Sequence, residues 1–325
     1  MSRVRALLHL LLLLLLAVSP LALLEAQVPT YDLSPEAVRY VNGVLNESVN
    51  ASTLFASQDA ISTGRFTQRR QEEPNKGYTI IRLPGEVLFG DKSDSVRPFI
   101  NGNGALLRVT SGLAPVEGDG KDDFASTSLF AFSSGAGVYY KVSDSFSVVP
   151  SFSLTYSHIN NSYDFNNPYS QQVLAQADSE FFNWDMDLFT YAPALKTYYE
   201  QAIGSQTFQY YLGYTYLFND TIATNSSLID ISSSTGLLTN RARITVPLGV
   251  SVAEVPLALR PMFQWNNISG HAVAGLGLRD LFEMGADMVA DLEALKGFIS
   301  TITLGASYVA GRDFEGYHLG VGLKF

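Results

Sequence analysis

The chain has no cysteine among its 325 residues, which excludes a disulfide framework and any thiolate metal site. Charge is also scarce. Asp, Glu, Lys and Arg make up 16% of the chain, and the formal net charge is −10. A chain poor in positive charge lacks the electrostatic footprint of a nucleic-acid binder, so no nucleic-acid partner is expected. After the first two dozen residues no apolar run reaches about 18 residues, so no later helix can span a bilayer.

The apolar run that does occur lies at the start. Arg3 and Arg5 precede Ala6 to Leu16, almost all leucine, and small residues follow at Ala17, Ala22 and Ala26. This is the pattern of a secretory signal peptide cleaved after Ala26, with an uncleaved anchor reaching Leu24 as the alternative. Cleavage removes two Arg and one Glu, leaving 19 basic and 30 acidic side chains and a net charge of −11. The remaining residues would suit two soluble domains or one large barrel.

The abundance of 17 Tyr, 20 Phe and 26 Gly favours the barrel, and so does the pattern they make. Phe146, Val148, Pro150, Phe152, Leu154 and Tyr156 alternate with Ser147, Ser151, Ser153, Thr155 and Ser157. The same period of two recurs over Phe130 to Val142, Phe208 to Phe218, Leu238 to Leu248, Val255 to Trp265, Phe282 to Ala290 and Phe298 to Tyr308. Runs of about ten residues exceed the usual strand of five or six, and they match the length that crosses a bilayer when tilted. A soluble sandwich would place Lys and Glu on its open face. Here the polar faces carry mostly Gly, Ser, Thr and Asn, which suit a lumen.

The spacing predicts a transmembrane antiparallel β-barrel of about twelve strands, an all-β fold. The expected strands are 59–68, 77–89, 97–109, 128–142, 145–158, 194–203, 206–218, 236–248, 255–266, 282–292, 298–310 and 315–325, with 271–281 as loop or strand extension. The long polar stretches Ile159 to Pro193, Asn219 to Thr235 and Thr110 to Thr127 are expected to be extracellular loops. Ahead of the strands, Ser34 followed by Pro35 and by Val38, Val41, Val44 and Leu45 predicts a short helix over 35–48. The resulting plan is a signal peptide (1–26), a helical segment (27–58) too short for a large exported domain, and the barrel (59–325).

By this register Arg241, Arg243 and Arg260 point into the lumen, as do Glu283, Asp287 and Asp291. They either set a transverse field that selects polar solutes or pair with one another to fill the interior. His158 lies near Ser162, a pairing that a lipid hydrolase would need, but the spacing lacks a close His-x-Ser arrangement. Asp185 and Asp187 read as ordinary loop aspartates. No catalytic residue, cofactor or metal site is expected.

The last strand, ending GYHLGVGLKF, resembles the carboxy-terminal β-signal of bacterial outer-membrane proteins, with His318, Gly320, Leu323 and Phe325 in the characteristic places. A helix ahead of about twelve strands that end in Phe is similar to the translocator domain of autotransporters, most of all the solitary autotransporter-type barrels of Gram-negative bacteria. The resemblance implies residence in the bacterial outer membrane, among its lipid and lipopolysaccharide. It also implies recognition of the final strand by the barrel assembly machinery, and a helix at 35–48 that plugs the pore. The polar inward faces lead to an expected function of passage or translocation of polar solutes, with interaction through the loops 159–193 and 219–235 as the alternative and lipid hydrolysis as a third reading.

Overall fold

The computed structural model describes residues 61–69, 75–91, 93–113, 123–166, 171, 182–226, 231–252, 254–292 and 300–324. The expected signal peptide, the helix expected at 35–48 and Phe325 lie outside the described residues. Twelve strands follow in order: β1 (Ile61–Gln68), β2 (Lys76–Leu88), β3 (Val96–Leu113), β4 (Asp123–Lys141), β5 (Phe146–Asp164) and β6 (Asp185–Ile203), then β7 (Gln206–Thr224), β8 (Ser232–Val252), β9 (Val255–Gly270), β10 (Asp280–Asp291), β11 (Thr301–Gly311) and β12 (Phe314–Lys324). Each strand pairs antiparallel with its sequence neighbours. β1 pairs with β12, Ser62 facing Gly320 and Thr67 facing Glu315, so the sheet closes and leaves no edge strand.

Alternation decides which side chain faces which way. Along β7, Tyr210, Leu212, Tyr214 and Phe218 are exposed on the outer face, while Tyr211, Gly213, Leu217 and Asn219 are buried on the inner one. The same holds in β12, where Tyr317, Leu319, Val321 and Leu323 are 39 to 55% exposed although all are apolar or aromatic. Outward Phe, Tyr, Leu and Val recur on every strand from β2 onward, forming one contiguous apolar belt far larger than a water-soluble surface carries.

The links at one end are on the whole shorter than those at the other, which include the longest, 165–184. Links 89–95, 142–145, 204–205, 253–254 and 292–300 lie at one end, and 69–75, 114–122, 165–184, 225–231, 271–279 and 312–313 at the other. The tightest turns use left-handed backbone at Gly204 (φ 62°) and Asp313 (φ 57°), residue types that tolerate it. In the β4–β5 turn the Lys141 ammonium donates to Asp144 at 2.8 Å and holds that carboxyl below the usual carboxylate range.

Strand number follows the sequence pattern, and so do most strand ends on the short-link side, but β8 runs on to Val252 where 248 was expected and β11 begins at Thr301 where 298 was expected. On the long-link side the strands run further than expected. Ile159–Asp164, Asp185–Pro193, Asn219–Thr224 and Ser232–Thr235, expected as loops, are sheet, as are Thr110–Leu113 and Asp123–Thr127. The cause is an inversion of polarity. In β5 the outward residues pass from Phe152 and Tyr156 to His158, Asn160, Ser162 and Asp164, while inward ones pass from Ser153 to Ile159 and Tyr163. Region 271–281 is a short helix, α1 (His271–Leu276), closed by Gly277 at φ 60°, and β10 begins at Asp280.

The inverted zone corrects the expectation of an inner face that is polar throughout. Every strand contributes a buried apolar side chain there: Phe66, Ile80, Leu107, Leu129, Ile159, Leu188, Leu217, Leu237, Ile268, Leu281, Val309 and Phe314. Ile80, Leu107, Leu129, Ile159 and Met186 are direct cross-strand partners in succession, and Phe66 stacks on Phe314 at 5.4 Å. These side chains form one apolar ring inside the barrel near the long-link end, and solvent does not reach them.

Candidate functional site

Below the ring the inner wall turns polar and charged. β10 supplies Glu283 and Asp287, four residues apart and so on one face, alternating with the outward Met284 and Met288. β8 and β9 bring Arg241, Arg243 and Arg260 to the same place, and β12 brings His318. Together they line a cavity of about 240 Å³. Five of the six lumen charges read from the sequence therefore come together. Asp291 faces inward at the end of β10 but does not line this cavity.

The wall charges are paired along the sheet. Arg260 directs Nε at 2.9 Å and Nη2 at 2.7 Å to Oδ2 of Asp287, its cross-strand partner. Glu283, only 2% exposed, accepts from Ser307 Oγ at 2.5 Å, and His318 Nδ1 lies 3.7 Å from its Oε1. A buried carboxylate persists only with such partners. Of the two arrangements that the sequence left open, self-pairing is seen at Arg260 and Asp287, which adjoin on β9 and β10, with Arg241 and Arg243 on the neighbouring β8 lining the same cavity.

Several wall residues escaped the sequence reading. Arg82 of β2 is 1% exposed, and its neighbours Ile81 and Leu83 face outward. A lone Arg alternating with two apolar residues was the available signal. An aromatic chain also crosses the inner wall. Phe99 meets Tyr139 at 5.2 Å, Tyr139 meets Tyr198 at 5.7 Å, Tyr198 meets Tyr211 at 5.0 Å, and the Arg241 guanidinium lies 4.9 Å over the Tyr211 ring. Gly137 makes room for it, since a Cβ there would come within 2.5 Å of the Phe99 ring. Aromatic residues so dominate the outer belt that period alone gave no hint of an inner set.

The remaining sequence candidates fall elsewhere. His318 and Gly320 of the terminal strand face inward and Leu323 faces outward. His158 sits on the outer face, where its Nδ1 is 2.8 Å from Asp187 Oδ1, and Tyr156 Oη donates to the same oxygen at 2.7 Å. Asp185 accepts from Asn160 at 2.5 Å. Among the described residues no hydrogen bond joins His158 to Ser162, and no group of three His, Asp or Glu could hold a metal ion.

A closed twelve-stranded sheet with an apolar belt outside and a charged, partly aromatic lumen inside is the architecture of an outer-membrane β-barrel. A family model, the solitary outer membrane autotransporter β-barrel domain, matches residues 47–321, and the chain belongs to that family. It is accordingly an outer-membrane protein of Gram-negative bacteria. Solved structures give the same fold at low identity. The translocator domain of the autotransporter NalP from Neisseria meningitidis is 12% identical over 89% of this chain and 99% of that one, with a TM-score of 0.56. The transport unit of AIDA-I from Escherichia coli is 12% identical over 90% and 100%, at 0.53, and the β domain of the Bordetella autotransporter BrkA 13% identical over 82% and 99%, at 0.50. Sequence comparison with curated proteins returns no match.

Proposed function

We propose that this barrel is a gated passage for polar solutes across the outer membrane, with its strands crossing the lipid and residues 27–58 acting as a plug on the lumen. The observation that carries this reading is the cavity of about 240 Å³ walled by Arg241, Arg243, Arg260, Glu283 and Asp287. Fixed charges of both signs on a lumen wall orient and admit polar solutes and exclude apolar ones. The apolar ring above the cavity supports a gate that closes by expelling water.

Planar-bilayer recording tests the proposal. The whole chain is expected to show brief, rare openings, and the chain lacking 27–58 sustained ones. Replacing Leu129, Leu217 and Leu237 together by Ser is expected to raise open probability in both, by at least about tenfold if the gate loses about 1.4 kcal/mol. Silence of all these proteins would sink the passage and favour the second reading, a surface-interaction barrel. That reading draws on the aromatic cluster at the base of the longest link, where Tyr163 meets Phe165 and Phe182 at 4.6 Å each. It expects removal of 167–181 to abolish partner binding while the barrel still folds.

A further inference from the structure

On the outer face, the apolar belt ends at a row that carries two arginines. Cross-strand register places Tyr317, Arg65, Thr79, Arg108 and Ser128 side by side on β12, β1, β2, β3 and β4. The next row toward the short-link end is Leu319, Thr63, Ile81, Leu106 and Phe130, in which Leu319, Ile81, Leu106 and Phe130 are 44 to 51% exposed. The next row toward the long-link end is Glu315, Thr67, Gly77, Thr110 and Ser126. Arg65 and Arg108 therefore stand where the apolar outer face gives way to one rich in hydroxyls.

Both arginines are exposed, and neither has an acidic partner among the described residues. Arg108 donates Nε to Ser126 Oγ at 3.3 Å, which leaves its two terminal nitrogens directed elsewhere. The carboxylate on the adjoining β12, Glu315, is engaged by Arg69 at 3.5 Å and by Tyr308 Oη at 3.0 Å. Two guanidinium groups on alternate strands stand about 10 Å apart at the backbone, close enough for their side chains to converge. A planar guanidinium fork matches phosphate, and the phosphates of lipid headgroups lie where the apolar belt ends.

We infer that Arg65 and Arg108, with Thr79 and Ser128 between and beside them, form a binding site for the phosphate of an outer-leaflet lipid. The lipid's acyl chains lie along Ile81, Leu106 and Phe130, and its headgroup meets the hydroxyl row. The long links at this end make it the extracellular one, so the phosphate belongs to the phosphorylated glycolipid of the outer leaflet. This inference rests on the family and the outer-face register and is independent of any conductance.

The test uses the whole chain refolded in phosphatidylcholine vesicles containing lipid A, dephosphorylated lipid A, or neither with inorganic phosphate added. Lipid retained after detergent extraction is counted by native mass spectrometry. Wild type is expected to retain lipid A about tenfold better than Arg65→Ala/Arg108→Ala, as loss of charge-assisted contacts implies. Arg65→Lys/Arg108→Lys is expected to fall between them. Arg279→Ala/Arg312→Ala, which removes two rim arginines flanked by Asp280 and Asp313, is expected to behave as wild type. Heat-modifiable migration certifies that each variant is folded. Equal retention by wild type and the folded double alanine variant would overturn the site. So would equal retention of dephosphorylated lipid A by wild type, or retention of inorganic phosphate as high as that of lipid A.

Discussion

Ile159→Asp is expected to abolish the folded barrel, with loss of heat-modifiable migration and of protease resistance in vesicles. Ile159 is 0% exposed, with Leu129 and Met186 as its cross-strand partners. A carboxylate at that position has no cation among its ring neighbours, all of which are apolar. Burying it there costs several kcal/mol, a large share of the roughly 5–15 kcal/mol by which a folded chain is stable. Ile159→Ala leaves a cavity instead and is expected to lower stability by about 2–5 kcal/mol in urea titration. Ser162→Asp, outward and exposed on the same strand, is expected to change little. If the ring were instead bathed by water in an open pore, Ile159→Asp would fold normally and conduct better, and the gate would have to be abandoned.

Leu304→Arg is expected to have the second large effect, and only in lipid. Leu304 is 58% exposed in the middle stretch of β11, and its cross-strand partners Met288 and Val321 are 40 and 39% exposed. In a water-soluble protein an exposed Leu changes to Arg at almost no energetic expense. On the lipid face of a barrel, Arg near the bilayer midplane costs about 2–4 kcal/mol, falling to about 0–1 near the interface. Folding equilibria in vesicles should therefore register a penalty at Leu304 and almost none for an Arg placed at Thr79, in the row where Arg65 and Arg108 already stand.

How much of this was legible in the sequence depends on which solvent each stretch meets. Where lipid lies outside, apolar residues recur at nearly every second position, so β7 and β12 and the total of twelve strands were readable from period alone. Above the belt the outside turns polar and the inside apolar. His158, Asn160, Ser162 and Asp164 against Ile159 and Tyr163 still alternate, but in the opposite phase, and a reader who requires apolar residues outward takes the strand for a loop. The apolar ring was missed for that reason. The six charges read from the sequence lie in the in-phase part of β8, β9 and β10, and five of them line one cavity. Phe99, Tyr139, Tyr198 and Tyr211 meet across neighbouring or next-but-one strands, β3, β4, β6 and β7, and one-dimensional spacing does not supply that register; nor does it single out the buried Arg82. α1 has no capping side chain at Gly270 and only six residues, too little for a periodic signal.

The most direct measurement uses the absence of cysteine, which lets single cysteines be introduced without background. Each position from Ile302 to Val309 on β11 is replaced by Cys, spin-labelled, and assayed in vesicles for collision with oxygen, concentrated in lipid, and with a water-soluble nickel chelate. Labels at 302, 304, 306 and 308 should collide with oxygen, and labels at 303, 305, 307 and 309 should not, giving a period of two. Nickel accessibility at the outward positions, or equal oxygen collision at all eight, would contradict the claim that these side chains face lipid.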